Sequence, residues 1–487
     1  MANFYRNRDF CPVWFDEEEF EVDKEKELWT AVQTELGPLG YSIKTPNSVC
    51  HQTKDFLREL CLSRYWLDQV SVVEAARAGR RWENGEWADP KLDVLNKVQI
   101  RSEKILTALE TNEFQETLQE VQPRFIDYVA LKEKLQLYLT TQDELTKALD
   151  PVLKEADETH TLNAIRKLNS LEFWDHQLKT EEALTATNSN KVIKSFQRSH
   201  NLEQTGRFNK ATLKRVNQIL GARIRKIQIN LARMRQLPQE LDDHLLVDIP
   251  SFTVFIRKEN GDVKFQSKVV VGKQDWATPQ FLERLSYIEV NPNWRVPDSI
   301  TRQEIIPKIL ENENYLGEKQ FQVMDKKTQK ILVKEEVEEI DWEEYQEDDK
   351  PLPVRLVKAS GPENPLGAIK FMFPNPHAVY LHSTSNQAVF ERSQRAFSHG
   401  CIRVEKAAEL AKAILSEFGK DYNSEEFEKK IGGNEPMIFK MRKELPVYFT
   451  YWTAKIEDGR VQFRDDIYQE DDSYSLEIGK PKLKVAE

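Results

Sequence analysis

Two residue types suited to acyl transfer lie close together in the stretch from Tyr380 to Arg403. Cys401 ends the tetrapeptide Ser-His-Gly-Cys, and His382 lies upstream in a separate short segment. A free thiol is a poor nucleophile at neutral pH because its pKa is about 8.5, and a neighbouring imidazole can lower that pKa. A Cys–His pair brought together by the fold is the usual arrangement for a thioester intermediate. The stretch therefore predicts a cysteine nucleophile with His382 as its partner.

The residues around this pair predict a strand, a turn and a helix. Val379 and Leu381 alternate with Tyr380 and His382, which is typical of a strand. Apolar residues after the cysteine recur at helical spacing, at Ala407, Leu410, Ala411, Ile414, Leu415 and Phe418. We therefore expect Cys401 in the turn that leads into a helix, where unpaired backbone N–H groups favour negative charge.

Small residues near the cysteine fit this chemistry. Gly400 allows a substrate to approach closely, so the N–H groups of Gly400 and Cys401 are expected to form an oxyanion hole. The hydroxyls of Ser383 and Ser398 are expected to fix the tautomers of the two histidines. A buried structural cysteine is the alternative for either residue type taken singly. Zinc binding is a weaker alternative, because no second cysteine or acidic residue lies at a ligand-like spacing.

The pattern His-X15-Ser-His-Gly-Cys-Ile-Arg over 382–403 resembles the signature of the L,D-transpeptidases, the cysteine enzymes that crosslink bacterial peptidoglycan. The segments NPNWRVPDSI (291–300), NPLGAIKFMFPN (364–375) and VQFRDDIY (461–468) extend the resemblance. Over nearly its whole length the chain is similar to the large, multidomain branch of the periplasm of diderm bacteria. The resemblance implies an α+β multidomain protein with a β-rich L,D-transpeptidase catalytic domain.

The predicted domains follow the chain in order. We expect a helical scaffold domain at 1–158, a small three-helix peptidoglycan-binding-like domain at 159–220, a linking helix at 221–236, the catalytic domain at 237–300 and 363–440, an inserted capping subdomain at 301–362, and a C-terminal β-hairpin and tail at 441–487. The catalytic domain is expected to be antiparallel, with a hairpin at Asn260-Gly261 between β-rich runs over Leu246 to Arg257 and Val263 to Val271.

The resemblance also implies roles for single residues. Cys401, activated by His382, attacks a carbonyl of the peptidoglycan stem peptide, and Ser383 orients His382 chiefly through its backbone oxygen. His399 shapes the loop of the oxyanion hole together with Gly400. The expected substrate-binding residues are Arg403, Tyr380 and Ser398. Arg403 suits a substrate carboxylate, because a guanidinium binds carboxylates in a bidentate way; Arg392 and Arg395 compete for that role, and the alternative for Tyr380 is ordinary packing.

The implied reaction is 3→3 crosslinking of tetrapeptide stems through a cysteine thioester, with no metal or organic cofactor. Carbapenem-type β-lactams are expected to acylate Cys401. The same residues could pass the acyl group to water, as a carboxypeptidase or amidase does, or to a lysine of an envelope protein. A non-catalytic wall-binding scaffold is an alternative of a different class, although a binding module has no use for an activated thiol.

Composition limits the remaining possibilities. The 487 residues are too many for one core, and a net charge of −11 argues against a general nucleic-acid binder. The N-terminal residues lack the apolar core of a signal peptide. Because the resembled family acts outside the cytoplasm, we expect a periplasmic monomer from whose sequence a signal or membrane anchor has been removed. Of the four cysteines, Cys50 and Cys61 are the expected disulfide pair, with three buried thiols as the alternative.

Other segments predict structure more than chemistry. Helical patterns cover Glu17 to Leu36, Lys91 to Leu109 and Phe125 to Leu149. Residues 190–217 resemble the peptidoglycan-binding module, with Phe196-Gln197 and Gly206 among its landmarks, but Thr205 replaces the usual Asp, so a structural relic is a serious alternative. The basic residues that follow suggest packing plus a solvated face. In the insertion, Trp342 and Tyr345 are expected to contact substrate or to anchor a lid over the site.

Overall fold

A computed structural model of the protein describes residues 13–16, 19–40, 61–63, 65–67, 70, 81–83, 86–88, 105–152, 165–166, 168, 171, 186–200, 202–207, 209–347, 350–472 and 474. The chain divides into two compact units. One comprises Met1–Leu241 with Trp452–Glu487, and the other comprises Asp242–Tyr451. The cysteine and the histidines singled out above lie in the second unit. No helix in the described ranges combines the length and the apolar character that crossing a membrane requires.

The strands of the described residues are numbered in chain order. They are Phe15–Asp16 (β1), Glu19–Phe20 (β2), Arg81–Glu83 (β3), Glu86–Ala88 (β4), His244–Asp248 (β5), Thr253–Arg257 (β6), Val263–Gly272 (β7), Phe281–Val290 (β8), Trp294–Arg295 (β9), Phe321–Asp325 (β10), Val354–Lys358 (β11), Ile369–Met372 (β12), Leu381–His382 (β13), Ala396–Ser398 (β14), Ile402–Val404 (β15), Met437–Thr450 (β16), Ala454–Glu457 (β17) and Arg460–Phe463 (β18).

The α-helices are numbered in the same way. They are Val22–Leu36 (α1), Phe114–Glu120 (α2), Ile126–Val152 (α3), Ala186–Ser199 (α4), Lys210–Met234 (α5), Asp298–Ile300 (α6), Ile306–Glu311 (α7), Tyr315–Glu318 (α8), Lys334–Glu338 (α9), Ala407–Phe418 (α10) and Ser424–Lys430 (α11). A π-helical turn, Thr301–Ile305, joins α6 to α7. Most of the helix predicted over Lys91 to Leu109 lies outside the described residues, and residues 105–111 are helical.

A nine-stranded sheet forms the frame of residues 242–451, in the order β14-β7-β15-β13-β12-β8-β16-β5-β6. Because β6 also pairs with β7, the sheet closes on itself. Its buried positions hold branched and aromatic side chains, which suit the pleated surface of strands, among them Val270, Ile288, Phe371, Leu381 and Val447. Helix α10 packs against β7, β12 and β16 through the apolar face that its helical spacing predicts. The predicted α+β class is confirmed.

The sheet is mixed, so the prediction of an antiparallel sheet is wrong. Three neighbouring pairs are parallel: β13 with β15, β14 with β7, and β16 with β5. A hairpin leaves a turn signal in the sequence, whereas parallel strands need a longer connection that carries no such signal. The parallel pairs were therefore not predictable from local patterns.

The predicted hairpin at Asn260-Gly261 is confirmed, because β6 and β7 pair on either side of it and Gly261 has a φ of 87°. The run from Leu246 to Arg257 is not one strand, however. A turn in which the N–H of Phe252 donates to the carbonyl of Ile249 separates β5 from β6, and the two pair with each other. The chain around Asp458-Gly459 also forms the predicted hairpin, between β17 and β18.

The insertion between the strands of the main sheet has its own small sheet, ordered β10-β11-β9, and its own core. We call residues 294–358 the cap. Trp294–Arg295 therefore belongs to the cap. The β pattern over Asn291 to Val296 predicted a continuation of the strands of the catalytic domain, and that prediction is wrong. Trp342 is buried in the core of the cap and Tyr345 packs against that core, so both residues anchor the cap.

Arg302 holds the acidic loop of the cap. Its side chain is 5% exposed, and its guanidinium donates to the backbone carbonyls of Tyr345 (2.6 Å), Glu347 (2.5 Å) and Lys350. One buried cation thus satisfies three backbone carbonyls of this acidic segment. The sequence of the segment alone predicts only a solvated loop.

The N-terminal helices pack around aromatic and amide side chains. The rings of Trp14 and Phe114 stack at 5.9 Å, and Trp66 meets Phe114 edge-on at 5.0 Å. The buried carboxylate of Glu35 accepts hydrogen bonds from Gln119 of α2 and from Gln122, just after that helix, and it pairs with Lys132 at 3.2 Å. Burial of a carboxylate requires such partners. The described residues of this part are mainly helical, and a scaffold domain over 1–158 stays a prediction.

The turn between α4 and α5 explains the landmarks of the peptidoglycan-binding-like segment. The amide of Gln197 donates to Thr205 (3.0 Å) and to Thr212 (2.8 Å), and it accepts from the N–H of Gly206 (2.9 Å). Gly206 has a φ of 68°, where a side chain would be strained. These residues therefore maintain the turn. The domain boundaries predicted from the sequence stay predictions. Helix α5 continues without a break across the predicted boundary at residue 220.

The basic residues of α5 pack against the C-terminal segment of the same unit. Arg233 is buried and pairs with Asp471 at 2.6 Å, and Lys226 lies 3.6 Å from the same carboxylate. The side chain of Asn230 donates to Thr453 at 2.8 Å. The prediction of packing is confirmed for these residues.

Two of the four cysteines can be assigned a redox state. Cys61 is disulfide-bonded, and its partner lies outside the described residues, as do Cys11 and Cys50. The alternative of three buried free thiols is therefore wrong. Cys401 is free, as a nucleophile must be.

The contacts of Arg302 predict the behaviour of the Arg302→Met variant. Loss of its hydrogen bonds should free the acidic loop, because charge-assisted bonds to buried carbonyls contribute roughly 1.5–3 kcal/mol each. We expect the protease Glu-C to cut at Glu343 to Glu347 about tenfold faster than in the wild type, since cleavage follows the open population. Arg355→Met, at a half-buried arginine of β11, is the matched control. Equal cleavage rates in all three proteins would contradict this role.

Candidate active site

Cys401 lies in the turn between β14 and β15. Strand β15 begins at the next residue, Ile402, and α10 begins only at Ala407. The predicted helix is present from Ala407, but the turn that carries the cysteine leads first into a strand, so the expected effect of a helix N-terminus on the sulfur is wrong. The short strand between the cysteine and the helix was not recognised in the sequence, because the apolar residues of the strand and of the helix follow each other closely.

Two hydroxyls clamp the turn that carries the cysteine. The hydroxyl of Ser398 donates to the carbonyl of Cys401 (2.6 Å) and accepts from the N–H of Gly400 (3.1 Å). The hydroxyl of Thr278 donates to the carbonyl of Gly400 (2.8 Å) and accepts from the N–H of Gly272 (2.9 Å). Gly400 has a φ of 100°, which only glycine adopts without strain. The turn is therefore fixed before any substrate binds.

This clamp changes the expected oxyanion hole. The N–H of Gly400 already donates to Ser398, so it is engaged within the turn. The N–H of Cys401 makes no hydrogen bond to any described residue and remains available for a substrate oxygen. Ser398 is 2% exposed, and both of its bonds are internal to the turn. A contact of Ser398 with substrate stays a prediction.

His382 is buried and held in one tautomer. Its Nδ1 lies 2.6 Å from the carbonyl oxygen of Ser383, and because a carbonyl only accepts, Nδ1 carries the proton. Nε2 is then the unprotonated nitrogen. Burial, with a smaller contribution from the charge of Arg403, lowers the pKa of His382 to about 3. The imidazole is therefore neutral at physiological pH and can act as a base at Nε2.

The predicted orientation of His382 by the backbone oxygen of Ser383 is present in the structure. The hydroxyl of Ser383 makes other contacts: it donates to the carbonyl of Leu366 (3.0 Å) and accepts from the N–H of Ile369 (2.9 Å). Neither Ser383 nor Ser398 bonds a histidine through its hydroxyl, so the prediction that these hydroxyls fix the tautomers is wrong.

Parallel pairing brings the site residues to one face of the sheet. In the register of β13 and β15, His382 lies opposite Arg403, and the N–H of Ile402 donates to the carbonyl of Tyr380. Side chains alternate along strands, so Tyr380, His382, Cys401 and Arg403 share a face. The rings of Tyr380 and His382 are 5.7 Å apart. The structure thus brings together four residues that the sequence predicted to act together.

The sulfur of Cys401 has Tyr380 as its main polar neighbour. The backbone N–H and the hydroxyl of Tyr380 both hydrogen bond the sulfur, and the carbonyl of Ala378 lies 3.9 Å from it. Burial raises the pKa of the thiol, whereas the bonds from Tyr380 and the charges of Lys370 and Arg403 act in the opposite direction. Within the described contacts, no hydrogen bond joins the sulfur to His382.

Tyr380 is also linked to the cap. Burial raises the pKa of its hydroxyl strongly, so the hydroxyl stays protonated and can donate. The indole N–H of Trp294, on β9, hydrogen bonds the oxygen of Tyr380. Tyr380 is therefore a polar group between the cap and the cysteine, and the sequence-based alternative of ordinary packing does not describe it fully.

Of the three candidate arginines, Arg403 has the position suited to a ligand. It is half-buried, its charge interacts with Cys401 and Glu304, and it makes no hydrogen bond or ion pair among the described residues. Arg395 is buried and donates to backbone carbonyls at Val269, Phe252 and Arg392, so it serves the fold. Arg392 is exposed, and its guanidinium lies 5.5 Å from the ring of Phe397.

His399 connects the cysteine turn to the cap. Its Nε2 lies 2.5 Å from a carboxylate oxygen of Glu304, in the π-helical turn of the cap, and its ring meets that of Trp276 edge-on at 4.7 Å. These contacts agree with a supporting role for His399 in place of a second base. Within the described residues, no group of three histidine, cysteine, aspartate or glutamate side chains could hold a metal ion.

The same part of the chain matches a known family. Residues 242–426 match the model of the YkuD family, the L,D-transpeptidase catalytic domain. These residues are similar to L,D-transpeptidase catalytic domains. The resemblance seen in the sequence is therefore confirmed, and the match begins where the second compact unit of the chain begins.

Individual relatives agree with this assignment. A protein of Haemophilus influenzae named “Putative L,D-transpeptidase” is 32% identical over 251 residues, which cover 52% of this chain and 49% of the relative. The chain thus spans about half the length of that relative. Among solved structures, the Ldtfm–avibactam carbamoyl enzyme matches at 11% identity and a TM-score of 0.22, covering 44% of this chain and 51% of that one. An L,D-transpeptidase from Mycobacterium smegmatis matches at 14% identity and a TM-score of 0.18, covering 42% of this chain and 57% of that one. The assignment rests on the family match and the sequence relative.

Several residues of the candidate site were not predicted from the sequence. They are Thr278, Glu304, Trp294, Trp276 and Lys370, which come from four separate segments. Thr278 was noted only as part of a loop, and Glu304 only as part of a helical pattern. No local motif in the sequence marks these residues. Each becomes recognisable only when the sheet and the cap place it beside the cysteine or its turn.

The low pKa of His382 predicts an effect of pH on stability. The unfolded chain binds a proton at the ordinary pKa of 6.5 and the folded chain only at about 3, so stability falls as pH falls from 6.5 towards 3. Between about pH 7 and pH 5, we expect the wild type to lose roughly 2 kcal/mol more unfolding free energy than His382→Asn. Urea unfolding of the full chain measures this, with His200→Asn as the control. Parallel loss in wild type and His382→Asn would contradict the buried, neutral state.

Proposed function

We propose that this protein forms 3→3 crosslinks in peptidoglycan as an L,D-transpeptidase with Cys401 as its nucleophile. The observation that carries the proposal is the free thiol in a fixed turn, on one sheet face with Tyr380, His382 and Arg403. In this proposal Cys401 is the nucleophile, neutral His382 is the base, and Arg403 is the cation that binds a carboxylate. The L,D-transpeptidase assignment of the domain makes the stem peptide the substrate that best fits these groups.

In the acylation step, the sulfur of Cys401 attacks the carbonyl of the third residue of a tetrapeptide stem. Nε2 of His382 takes the thiol proton, and the N–H of Cys401 with the hydroxyl of Tyr380 stabilises the tetrahedral oxyanion. The bond to the terminal D-Ala then breaks, and His382 returns the proton to the leaving amine. The products are a thioester on Cys401 and free D-Ala. Contacts between a base and a nucleophile are often longer without substrate, so the absence of a direct bond to His382 fits this step.

In the second step, the side-chain amine of another stem attacks the thioester. Neutral His382 accepts a proton from that amine, the C–S bond breaks, and the thiol is restored by proton transfer. The new amide is the 3→3 crosslink. Water as the acceptor would give a carboxypeptidase, and a lysine of an envelope protein would give an attachment enzyme, with the same residues in both.

We place this activity in the periplasm, where the stem peptides are accessible. The disulfide at Cys61 supports an oxidising compartment, because structural disulfides are rare in the cytosol. Cys401 is a free thiol in the same protein, as the proposed nucleophile must be.

Acylation by a carbapenem tests the nucleophile. Intact mass spectrometry should show one adduct on the wild type and none on Cys401→Ala. The Ser398→Ala variant should acylate about tenfold more slowly, because loss of one clamp of the turn weakens the fixed geometry by roughly 1 kcal/mol or more. Equal adducts on wild type and Cys401→Ala would overturn the assignment of the nucleophile.

Product analysis then separates the acceptors. Digested peptidoglycan incubated with the protein should yield dimers with 3→3 links. Shortened monomers without dimers would identify a hydrolase, and an adduct with an envelope protein would identify an attachment enzyme. An adduct with a carbapenem but no change in muropeptides would refute crosslinking of these stems.

Arg403 should bind a carboxylate of the donor stem. We expect Arg403→Gln to raise KM for tetrapeptide stems about tenfold, because a charge-assisted bidentate bond contributes on the order of 2 kcal/mol. A stem in which this carboxylate is amidated should bind the wild type about as weakly as it binds the variant. Arg392→Gln, at an exposed arginine nearby in the chain, is the control. If amidation weakens binding equally in wild type and Arg403→Gln, another group recognises the carboxylate.

A further inference from the structure

Lys370 is a cation beside the active site to which the mechanism above gives no role. It lies on β12, directly opposite His382 on β13, and opposite Glu289 on β8. Paired residues of neighbouring strands share a face, so Lys370 lies on the face that carries the site. Its side chain is half-buried. A lysine in this position needs an explanation, because burying an ammonium is unfavourable without a partner.

The partner that the geometry provides is the ring of Tyr380. The Nζ of Lys370 lies 4.3 Å from the centroid of that ring, well within the range of a cation–π interaction. The hydroxyl of the same ring hydrogen bonds the sulfur of Cys401. A cation on a phenol ring withdraws electron density and makes its hydroxyl a stronger donor. Lys370 is therefore connected to the sulfur through one intervening side chain.

The neutral state of His382 makes this connection important. In many Cys–His pairs, a charged imidazolium stabilises the thiolate. Here burial keeps the imidazole uncharged, so the positive charge must come from elsewhere. Lys370 and Arg403 are the cations whose charges act on Cys401. Arg403 is needed for a substrate carboxylate in the proposed function, which leaves Lys370 as the cation that is present at every stage.

We propose that Lys370 is a positioning residue, which holds the Tyr380 hydroxyl on the sulfur of Cys401 and supplies the positive charge that favours its thiolate. The proposal rests on the proposed role of Cys401 as nucleophile, and it adds the residue that prepares the sulfur for attack. Lys370 acts through Tyr380 and through its charge, without touching the reacting atoms.

The other charged groups around the site are few. Arg403 on β15 and neutral His382 on β13 face the same side as the sulfur. Glu304 of the cap acts on Arg403, and Glu289 on β8 and Arg295 on β9 act on Lys370. Burial lowers the pKa of Lys370, and the charges of Glu289 and Cys401 oppose that effect. These charges favour a protonated Lys370 when the thiolate forms.

The test measures the reactivity of the thiol and needs no peptidoglycan. The rate of alkylation by iodoacetamide is followed against pH, on the peptide that contains Cys401, in the full chain. Lys370→Met keeps the length of the side chain without its charge, and Lys370→Arg keeps the charge. Lys440→Met, at an exposed lysine on β16 of the same sheet, is the matched control.

We expect Lys370→Met to move the midpoint of the profile to higher pH by about one unit, and to lower the rate near neutral pH about tenfold. Lys370→Arg should stay within about threefold of the wild type, and Lys440→Met should match it. An unchanged midpoint in Lys370→Met would overturn the proposal. Equal shifts in Lys370→Met and Lys370→Arg would also overturn it, because they would show packing without a role for charge.

These outcomes are separate from those of the proposed function. A shifted alkylation profile without any muropeptide product would support the role of Lys370 and refute crosslinking. Crosslinking by the wild type with identical profiles for wild type and Lys370→Met would do the reverse.

Discussion

The parallel pairing of β13 with β15 is the constraint on which the active site depends. It sets His382 opposite Arg403 and brings Tyr380 to the sulfur of Cys401, from segments that approach each other only in the folded sheet. A shift of one residue in this register would turn one set of side chains to the other face. The clamps at Ser398 and Thr278 hold the cysteine turn in place at the end of this pairing. The geometry of the site is thus a property of the sheet.

Hydrogen bonds from the cap reach two residues that support the cysteine. Glu304 bonds His399 beside the cysteine turn, and Trp294 bonds Tyr380 beside the sulfur. Both residues belong to the first third of the cap, next to the core that Trp342 anchors. In the proposed reaction, a cap in these positions would limit the entry of water, which favours transfer of the acyl group to an amine.

The sequence was informative wherever chemistry and local periodicity coincide. It predicted Cys401, His382 and the hydrogen bond that His382 donates to the carbonyl of Ser383, because a specific motif carries these residues. It also predicted the buried face of α10 from helical spacing. It did not predict that the N–H of Gly400 donates to Ser398, or that Arg395 donates to backbone carbonyls. Nor did it predict the contact between Glu304 and His399. Each of these depends on a hydrogen bond between groups whose approach is decided by the fold. The parallel pairing and the short strand after Cys401 were not predicted either, because no turn residue in the sequence indicates them.

Two requirements conflict in a single Cys–His pair, and in this site different residues meet them. A base must be neutral to accept the proton of the thiol, whereas a thiolate is most stable beside a positive charge. Burial solves the first requirement at His382 by disfavouring the imidazolium, but the same burial disfavours the thiolate at Cys401. Hydrogen bonds from Tyr380 and charges outside the pair must therefore offset the burial of the sulfur. In the proposed reaction, these hydrogen bonds and charges oppose the effect of burial on the sulfur, and the histidine is left free to move the proton.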